Sequence, residues 1–346
     1  VKDIIQQTFE KYGFAPLETP VIERYDVMTA KGGVGEESEL VGEMYQFNDQ
    51  GGRKLGLRFE FTFALASYMA MNQGIKLPFK RYQMGSVFRD GPIKAGRYRE
   101  FIQCDIDTIG TKSMLADAEI IACLADAYNQ LGIEYYVDIN HRHILTKILE
   151  LADITNPKQQ EKTIIQIDKL KKIGTQKLIQ QLIAIGVREQ QAQKIIECIS
   201  VQGTNQQKLD QLKQLLGKDA LDQTQQLFDY LQNFTIQQIN IDPSLARGQA
   251  YYSGPIYEFY LQDQSTISSS IGAGGRWDNM IGKYVQNESL SLPATGGSIG
   301  FETIMDIMYK KYGVEKRSPA QLYFIPLQTQ QHAIKIVQQL RDLNIK

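Results

Sequence analysis

Between Leu151 and Leu227 the chain carries no aromatic residue, although Phe, Tyr and Trp make up 10% of the 346-residue sequence. Aromatic rings supply much of the buried area of an ordinary core, so this stretch must pack differently from its flanks. Its apolar residues are chiefly Leu and Ile, set three and four apart in the segments 162–173, 175–185 and 189–199 amid Gln and Lys. That spacing puts them on one helical face and predicts a small helical module. From about Phe228 aromatic residues and glycine return, which reads as re-entry into the domain that the first part of the chain began. The expected organisation is therefore a domain opening at 1–150, a helical insertion at 151–238, the rest of the first domain at 239–316, and a further segment at 317–346. The Gln-rich faces read as solvated helix surface, with contact to a partner as the alternative.

At roughly 100–200 residues per domain, the length fits about two domains with an embedded third. Hydrophobic residues at 42% and charged residues at 22% place the chain among ordinary globular proteins. Thirty-eight Lys and Arg against 39 Asp and Glu leave a formal net charge of -1, so a polyanionic partner would have to be held by a local patch. No run of 18 apolar residues occurs, which argues against a membrane span, and no signal peptide is recognised. Cys104, Cys123 and Cys198 have no CxxC spacing, and the histidines are only His141, His143 and His332, so a disulfide framework and a zinc site are both disfavoured. A reducing, cytoplasmic setting is expected.

The chain opens at Val1 in an amphipathic pattern with Ile4, Ile5 and Phe9 on one stripe, as though something preceded it. After Ser318 and Pro319, the apolar run Leu322-Tyr323-Phe324-Ile325-Pro326-Leu327 and a helical pattern through Ile334, Ile336, Val337 and Leu340 predict a strand and then a helix. This reads as the opening of a truncated α/β segment.

The chemistry concentrates in residues 81–109, RYQMGSVFRDGPIKAGRYREFIQCDIDTI, which parse as strand, basic Gly/Pro loop, strand. From Phe101 the second strand alternates, with Phe101, Gln103, Asp105 and Asp107 on one face and Ile102, Cys104 and Ile106 on the other. The polar face is expected to look into a site. Arg89 ends the incoming strand, and Lys94, Arg97 and Arg99 make the loop cationic. Such a loop beside a carboxylate-lined face could hold a polyphosphate next to an amine. A hairpin with a merely charged outer face is the alternative.

FRDGPIKAGRYREFIQCDID resembles motif 2 of the histidyl-tRNA synthetases, which are class II aminoacyl-tRNA synthetases. YGFAPLETPVIE at 12–23 resembles motif 1, with Pro20 at the strand of the dimer interface, and LRFEFT at 57–62 resembles the amino-acid-binding stretch. LARGQAYYSGPIYE at 245–258 is similar to the histidine signature, and GAGGRWDNMIGKY at 272–284 to the Gly-rich strand after it. The matches fall in family order and cover residues 1 to about 312, with the insertion where the family places one. The resemblance implies an α+β fold: a class II synthetase-like antiparallel sheet flanked by helices, with a helical insertion and a truncated C-terminal α/β segment. It also implies a homodimer that activates L-histidine with ATP and transfers it to tRNA(His), with Mg2+ expected beside ATP on ligands that are not identified.

By the same resemblance, Arg89 binds the α-phosphate and the attacking carboxylate, Arg97 reaches the outer phosphates, and Arg247 meets the α-phosphate. A guanidinium fork suits these roles because it pairs with two oxygens at once. At about 4 Å and an effective dielectric near 20, one such pair contributes roughly 4 kcal/mol before desolvation. Phe101 would stack on adenine. Glu60, Thr62 and Gln103 match the positions that hold the α-ammonium, and Asp107 and Tyr252 those that recognise the imidazole. A carboxylate on one ring nitrogen and a phenol on the other select imidazole over rings lacking those atoms. Tyr251 and Tyr252 are expected to alternate, with the second facing the pocket, and Gly274 and Gly275 to let backbone approach the ligand.

The chain departs from the family pattern in several places. In GGSIGFETI at 296–304, Thr303 stands where the motif 3 arginine would be. Asp107 replaces a Glu, Ala250 an Asp, Ser67 an Arg and Gly91 a Glu. These changes fall more on the ATP site than on the histidine pocket. They keep open the alternative of a synthetase-like, histidine-binding regulatory subunit of ATP phosphoribosyltransferase. Arg247 argues for the enzyme. His141 and His143 read as packing or surface residues rather than catalysts.

Overall fold

The period-two alternation of 79–109 produces a long antiparallel hairpin, around which the rest of the chain is arranged. The computed structural model describes residues 1–29, 42–93, 98–236, 238–248, 251–265, 267–285, 292–313 and 320–345. The chain divides into two units, 1–306 and 307–346. In the first, the strands in chain order are β1 Ala15–Pro16, β2 Ile22–Arg24, β3 Gln46–Asn48, β4 Lys54–Leu57, β5 Phe79–Phe88, β6 Glu100–Ile109, β7 Tyr135–His141, β8 Ile239–Ile241, β9 Pro255–Leu261, β10 Gly272–Arg276 and β11 Ala294–Gly300. Eight of them form one sheet in the order β1-β5-β6-β11-β10-β9-β7-β8, and β2-β4-β3 form a second. The large sheet is antiparallel except at its edges, where β1 runs parallel to β5 and β8 parallel to β7. This is the α+β architecture expected, a mostly antiparallel sheet flanked by helices.

One face of that sheet packs against the helix Met114–Gln130, which buries Ile120, Ile121, Leu124 and Tyr128. Ser113 caps the helix, its hydroxyl accepting from the Leu115 amide at 3.2 Å. Close approach needs glycine in β11: a Cβ on Gly297 would lie 2.6 Å from the Tyr257 hydroxyl and 2.8 Å from Leu124. The buried Arg276 pins strand to helix, pairing with Asp117 and donating to the carbonyls of Thr111 at 2.9 Å and Ser113 at 3.1 Å. These bonds offset the desolvation that so deep a charge pair carries. A second core gathers Phe59, Phe63, Trp277, Met280 and Ile281. Transfer from water makes each fully buried side chain of that size worth about 2–3 kcal/mol.

The aromatic-free stretch is helical. The periodic segments at 175–185 and 189–199 fold as Thr175–Ala184 and Glu189–Ile199. The one at 162–173 is broken instead, into Pro157–Ile167 and Leu170–Ile173. The break aims Lys171 at Asp138 of β7 and Asp242 just beyond β8, at 2.5 and 2.8 Å. Local caps set the other ends: Asn156 precedes Pro157, and Thr204 forms a capping box with Gln207. After Asp222–Asn233 the chain re-enters the sheet through β8.

In the second unit Gln330–Asp342 is helical as expected. The predicted strand at 322–327 is a correction, because those residues form no strand. Exposed strand N–H and C=O groups need a partner ladder, and the described residues of 307–345 offer none.

Candidate functional site

The alternation along β6 is realised. Cys104 and Ile106 are fully buried on one face, while Phe101, Gln103, Asp105 and Asp107 line a cavity on the other. Sheet register builds the floor of that cavity in rows. Asp107 lies between Arg81 of β5 and Gly296 of β11, Asp105 between Gln83 and Ser298, and Gln103 between Gly85 and Gly300. The cavity has a volume of about 200 Å³. Glu60, Thr62, Arg89, Phe101, Gln103, Asp107, Arg247 and Tyr252 all line it, so residues from four separate stretches of chain converge there. Arg97 lies outside the described residues.

The cationic side is held rigidly. Arg89, just beyond β5, has its guanidinium 4.2 Å from the Phe59 ring centroid and 4.9 Å from that of Phe101. Its amide donates to the Arg99 carbonyl at 2.8 Å, closing the base of the loop. Arg247 donates to Glu258 of β9 at 2.7 Å, and Tyr260 donates to the same carboxylate. Burial works against the charge of Arg247, but Tyr252, Glu258 and Tyr251 around it prevail and raise its pKa, keeping it protonated. Arg58, in the same LRFEFT stretch as Glu60, has a separate task. It donates to the carbonyls of Thr19 at 2.8 Å and Ser86 at 2.7 Å, fastening the segment before β2 to β5.

The acidic side is desolvated. Burial pushes Glu60 up to about 7, against the pull of Arg89 and Arg247. Asp105 is likewise pushed up to about 7 by burial, with Arg81 pulling it down. Burial also raises Asp107, opposed by the Arg81 guanidinium 2.7 Å away and by a hydrogen bond from Trp277. Gln103 donates its side-chain amide to Ser298 at 3.1 Å. Poised carboxyls of this kind ionise when a cation arrives, which suits capture of an amine.

One expectation changes. Residues 251–253 lie outside any strand, so Tyr251 and Tyr252 do not alternate, and both line the cavity. Their rings are 4.7 Å apart, and Tyr251 donates to Glu60 at 3.5 Å. Gly274 and Gly275 both line the cavity, and a Cβ on Gly274 would come 2.2 Å from the Gly296 carbonyl oxygen and 2.4 Å from the Tyr257 hydroxyl. A Cβ on Gly275 would lie 2.8 Å from the Tyr252 ring, and one on Gly296 only 1.9 Å from the Asp107 carboxylate. Thr303 packs near Gly300 at the end of β11, while Glu302 accepts the Ile102 amide at 2.8 and 2.9 Å. His141 is buried and pairs with Gln223 at 2.9 Å, and burial lowers it to about 4, a packing role.

Asp105 falls on the site-facing side of β6 as the alternation predicts, although the sequence assigns it no role. Ser298 as a lining residue, and Arg81 and Glu258 as supports, carry no signal that the sequence reading used.

Comparison with known proteins agrees with this geometry. The family profile described as histidyl-tRNA synthetase matches residues 1–304. The chain is 38% identical over 347 residues to histidine--tRNA ligase 1 of Bacillus cereus, covering 99% of this chain and 79% of that one. It is 34% identical to histidine--tRNA ligase of Clostridium tetani, covering 100% of this chain and 79% of the relative. Among solved structures, the histidyl-tRNA synthetase of a Nostoc species superposes with a TM-score of 0.81 at 29% identity, covering 99% of this chain and 80% of that one. A Bacillus halodurans protein titled an ATP phosphoribosyltransferase regulatory subunit/histidyl-tRNA synthetase shares the fold, with a TM-score of 0.81 at 19% identity over 99% of this chain and 85% of its own. With its sheet, its cavity and these likenesses in accord, the chain belongs to the histidyl-tRNA synthetase family.

Proposed function

We propose that the chain is a histidine-tRNA ligase. The observation that carries this reading is the convergence of Arg89 and Arg247 with Glu60, Gln103 and Asp107 in one cavity. Glu60, Thr62 and Gln103 hold the α-ammonium of L-histidine, and Asp107 and Tyr252 hold its ring. The carboxylate of histidine attacks the α-phosphorus of ATP, the bond to the β-phosphate oxygen breaks, and pyrophosphate leaves. Arg89 and Arg247 stabilise the charge that builds on the α-phosphate oxygens, in a site where water screens little. Phe101 lies against adenine, and Arg97 reaches the outer phosphates. A ribose hydroxyl of tRNA(His) then attacks the acyl carbonyl, and AMP departs. Among the described residues no three His, Cys, Asp or Glu side chains converge as a metal-binding group, so magnesium would arrive with the phosphates of ATP.

No helix among the described residues is long and apolar enough to cross a membrane, and the reading places the reaction in the cytoplasm. Ile22 and Phe47 are exposed on the small sheet at 49% and 41%, and Val21 just before it at 41%, an apolar surface suited to a homodimer. Histidine-dependent exchange of pyrophosphate into ATP tests the function. Exchange is expected, falling on the order of 100-fold in Arg247→Gln. The uncharged Thr303 favours a second reading, a histidine-binding regulatory subunit of ATP phosphoribosyltransferase. Its signature would be histidine binding with no exchange.

A further inference from the structure

Arg81 is fully buried beside Asp107 of the cavity floor, its cross-strand partner, with its guanidinium 2.7 Å from the Asp107 carboxylate. A buried ion pair is a poor way to stabilise a hairpin, because apolar residues of similar size serve as well or better. The position of this one suggests another use. Asp107 is the carboxylate that the reading above assigns to the imidazole, so the inference rests on that reading. Cross-strand register sets Arg81 beside Asp107, and Asp107 over the bare backbone of Gly296. We propose that Arg81 is a positioning residue that neutralises Asp107 and so makes the slot select the uncharged imidazole ring over the imidazolium.

The argument is one of local charge. An unaccompanied carboxylate in a desolvated slot would draw a cationic ring, because an imidazolium would cancel its charge at close range. With Arg81 bound, the pair is already neutral, and a second cation would find no net attraction. A neutral imidazole offers one N–H donor and one acceptor nitrogen, which suit a carboxylate oxygen and the Tyr252 hydroxyl. The carboxylate retains capacity for that bond, since it can accept about four hydrogen bonds. The other groups facing Asp107 do not reverse the balance at pH 5.5, where an imidazolium would compete: Glu60 and Asp105, raised to about 7 by burial, are largely neutral there, Arg247 is paired with Glu258, and Trp277 and Tyr257 carry no charge.

The test measures histidine binding to the intact chain by calorimetry at pH 5.5 and 8, in buffers of different ionisation enthalpy. 1,2,4-Triazole-3-alanine, whose ring stays neutral at both values, is the reference ligand. Titration of Glu60 and Asp105 affects both ligands alike and cancels in the comparison. With the imidazole of histidine titrating near 6.5, histidine should weaken about tenfold relative to the analogue between pH 8 and 5.5. It should also release nearly one more proton on binding at the lower pH. In Arg81→Met that relative loss should vanish or reverse, while Arg81→Lys, which keeps the cation, should restore it. A merely structural arginine would change the melting temperature of both variants without changing the histidine-to-analogue ratio. Equal proton release by the two ligands in the unmodified protein overturns the proposal even if Arg81→Met does not fold. Failure to bind histidine at all would instead sink the reading of the site, and because the measurement needs no ATP or tRNA the two failures are distinct.

Discussion

Glu60 is 5% exposed, and it ionises near 7 in the fold against 4.5 in an unfolded chain. Between those values the folded state holds more protons than the unfolded one, so stability is fully present below pH 4.5 and is lost as pH rises through 7. Glu60→Gln removes that loss. At pH 8 the ligand-free variant should be more stable than the parent by up to about 3 kcal/mol, with no difference at pH 4. Its histidine affinity should fall at the same time, because the α-ammonium loses its counter-charge. Urea unfolding at both pH values, with calorimetry of histidine binding, checks the two halves, and a variant less stable at pH 8 would contradict the account. Asp105 carries the same sign. At this scale the sequence was legible wherever a local rule applied. The period of two along β6 exposed Gln103 and Asp107 together, whereas Arg81 and Glu258 act through partners set by cross-strand register and by a loop, which no local pattern reports.

Elements were legible where their periodicity was uninterrupted, as in Glu189–Ile199, and were misread where a long-range contact overrode it. Lys171 is the clearest case, since its two carboxylate partners lie 33 and 71 positions away in the chain and end a helix that the spacing would have continued. Its ammonium also sits 4.9 Å from the ring centroid of Tyr260, which in turn bonds the carboxylate holding Arg247. The short helix Leu170–Ile173 is thereby tied to the strands that support the site. Lys171→Met would leave Asp138, 3% exposed at its side chain, and Asp242, 14% exposed, without their cation. The partial exposure of Lys171 moderates the effect, so a loss of about 2 kcal/mol is expected at pH 7.5. The loss should shrink at pH 5, where the orphaned carboxyls can take up protons, and Lys171→Arg should recover most of it. Urea midpoints at the two pH values read this out, and a pH-independent loss would point to packing instead.

For the molecule as a whole, the small sheet and the cavity share one segment of chain. β4 ends at Leu57, Arg58 clamps the carbonyls of Thr19 and Ser86, and Glu60 follows two residues later in the cavity wall. A partner seated on Val21, Ile22 and Phe47 would therefore press on the same span that places the ammonium ligand. The sequence hinted at this face through Pro20 and its neighbours but could not show its link to the site, which depends on a guanidinium reaching across two other stretches of backbone. Ile22→Glu puts a charge in the middle of the proposed dimer face while leaving the antiparallel pairing of Ile22 with Leu57 available. Light scattering after gel filtration should report a dimer for the parent and a monomer for the variant. Histidine-dependent exchange should fall with the dimer, since no partner would then press on the span that leads through Arg58 to Glu60. A variant that becomes monomeric with exchange unchanged would separate the small sheet from catalysis, and a parent already monomeric at micromolar concentration would remove the dimer itself.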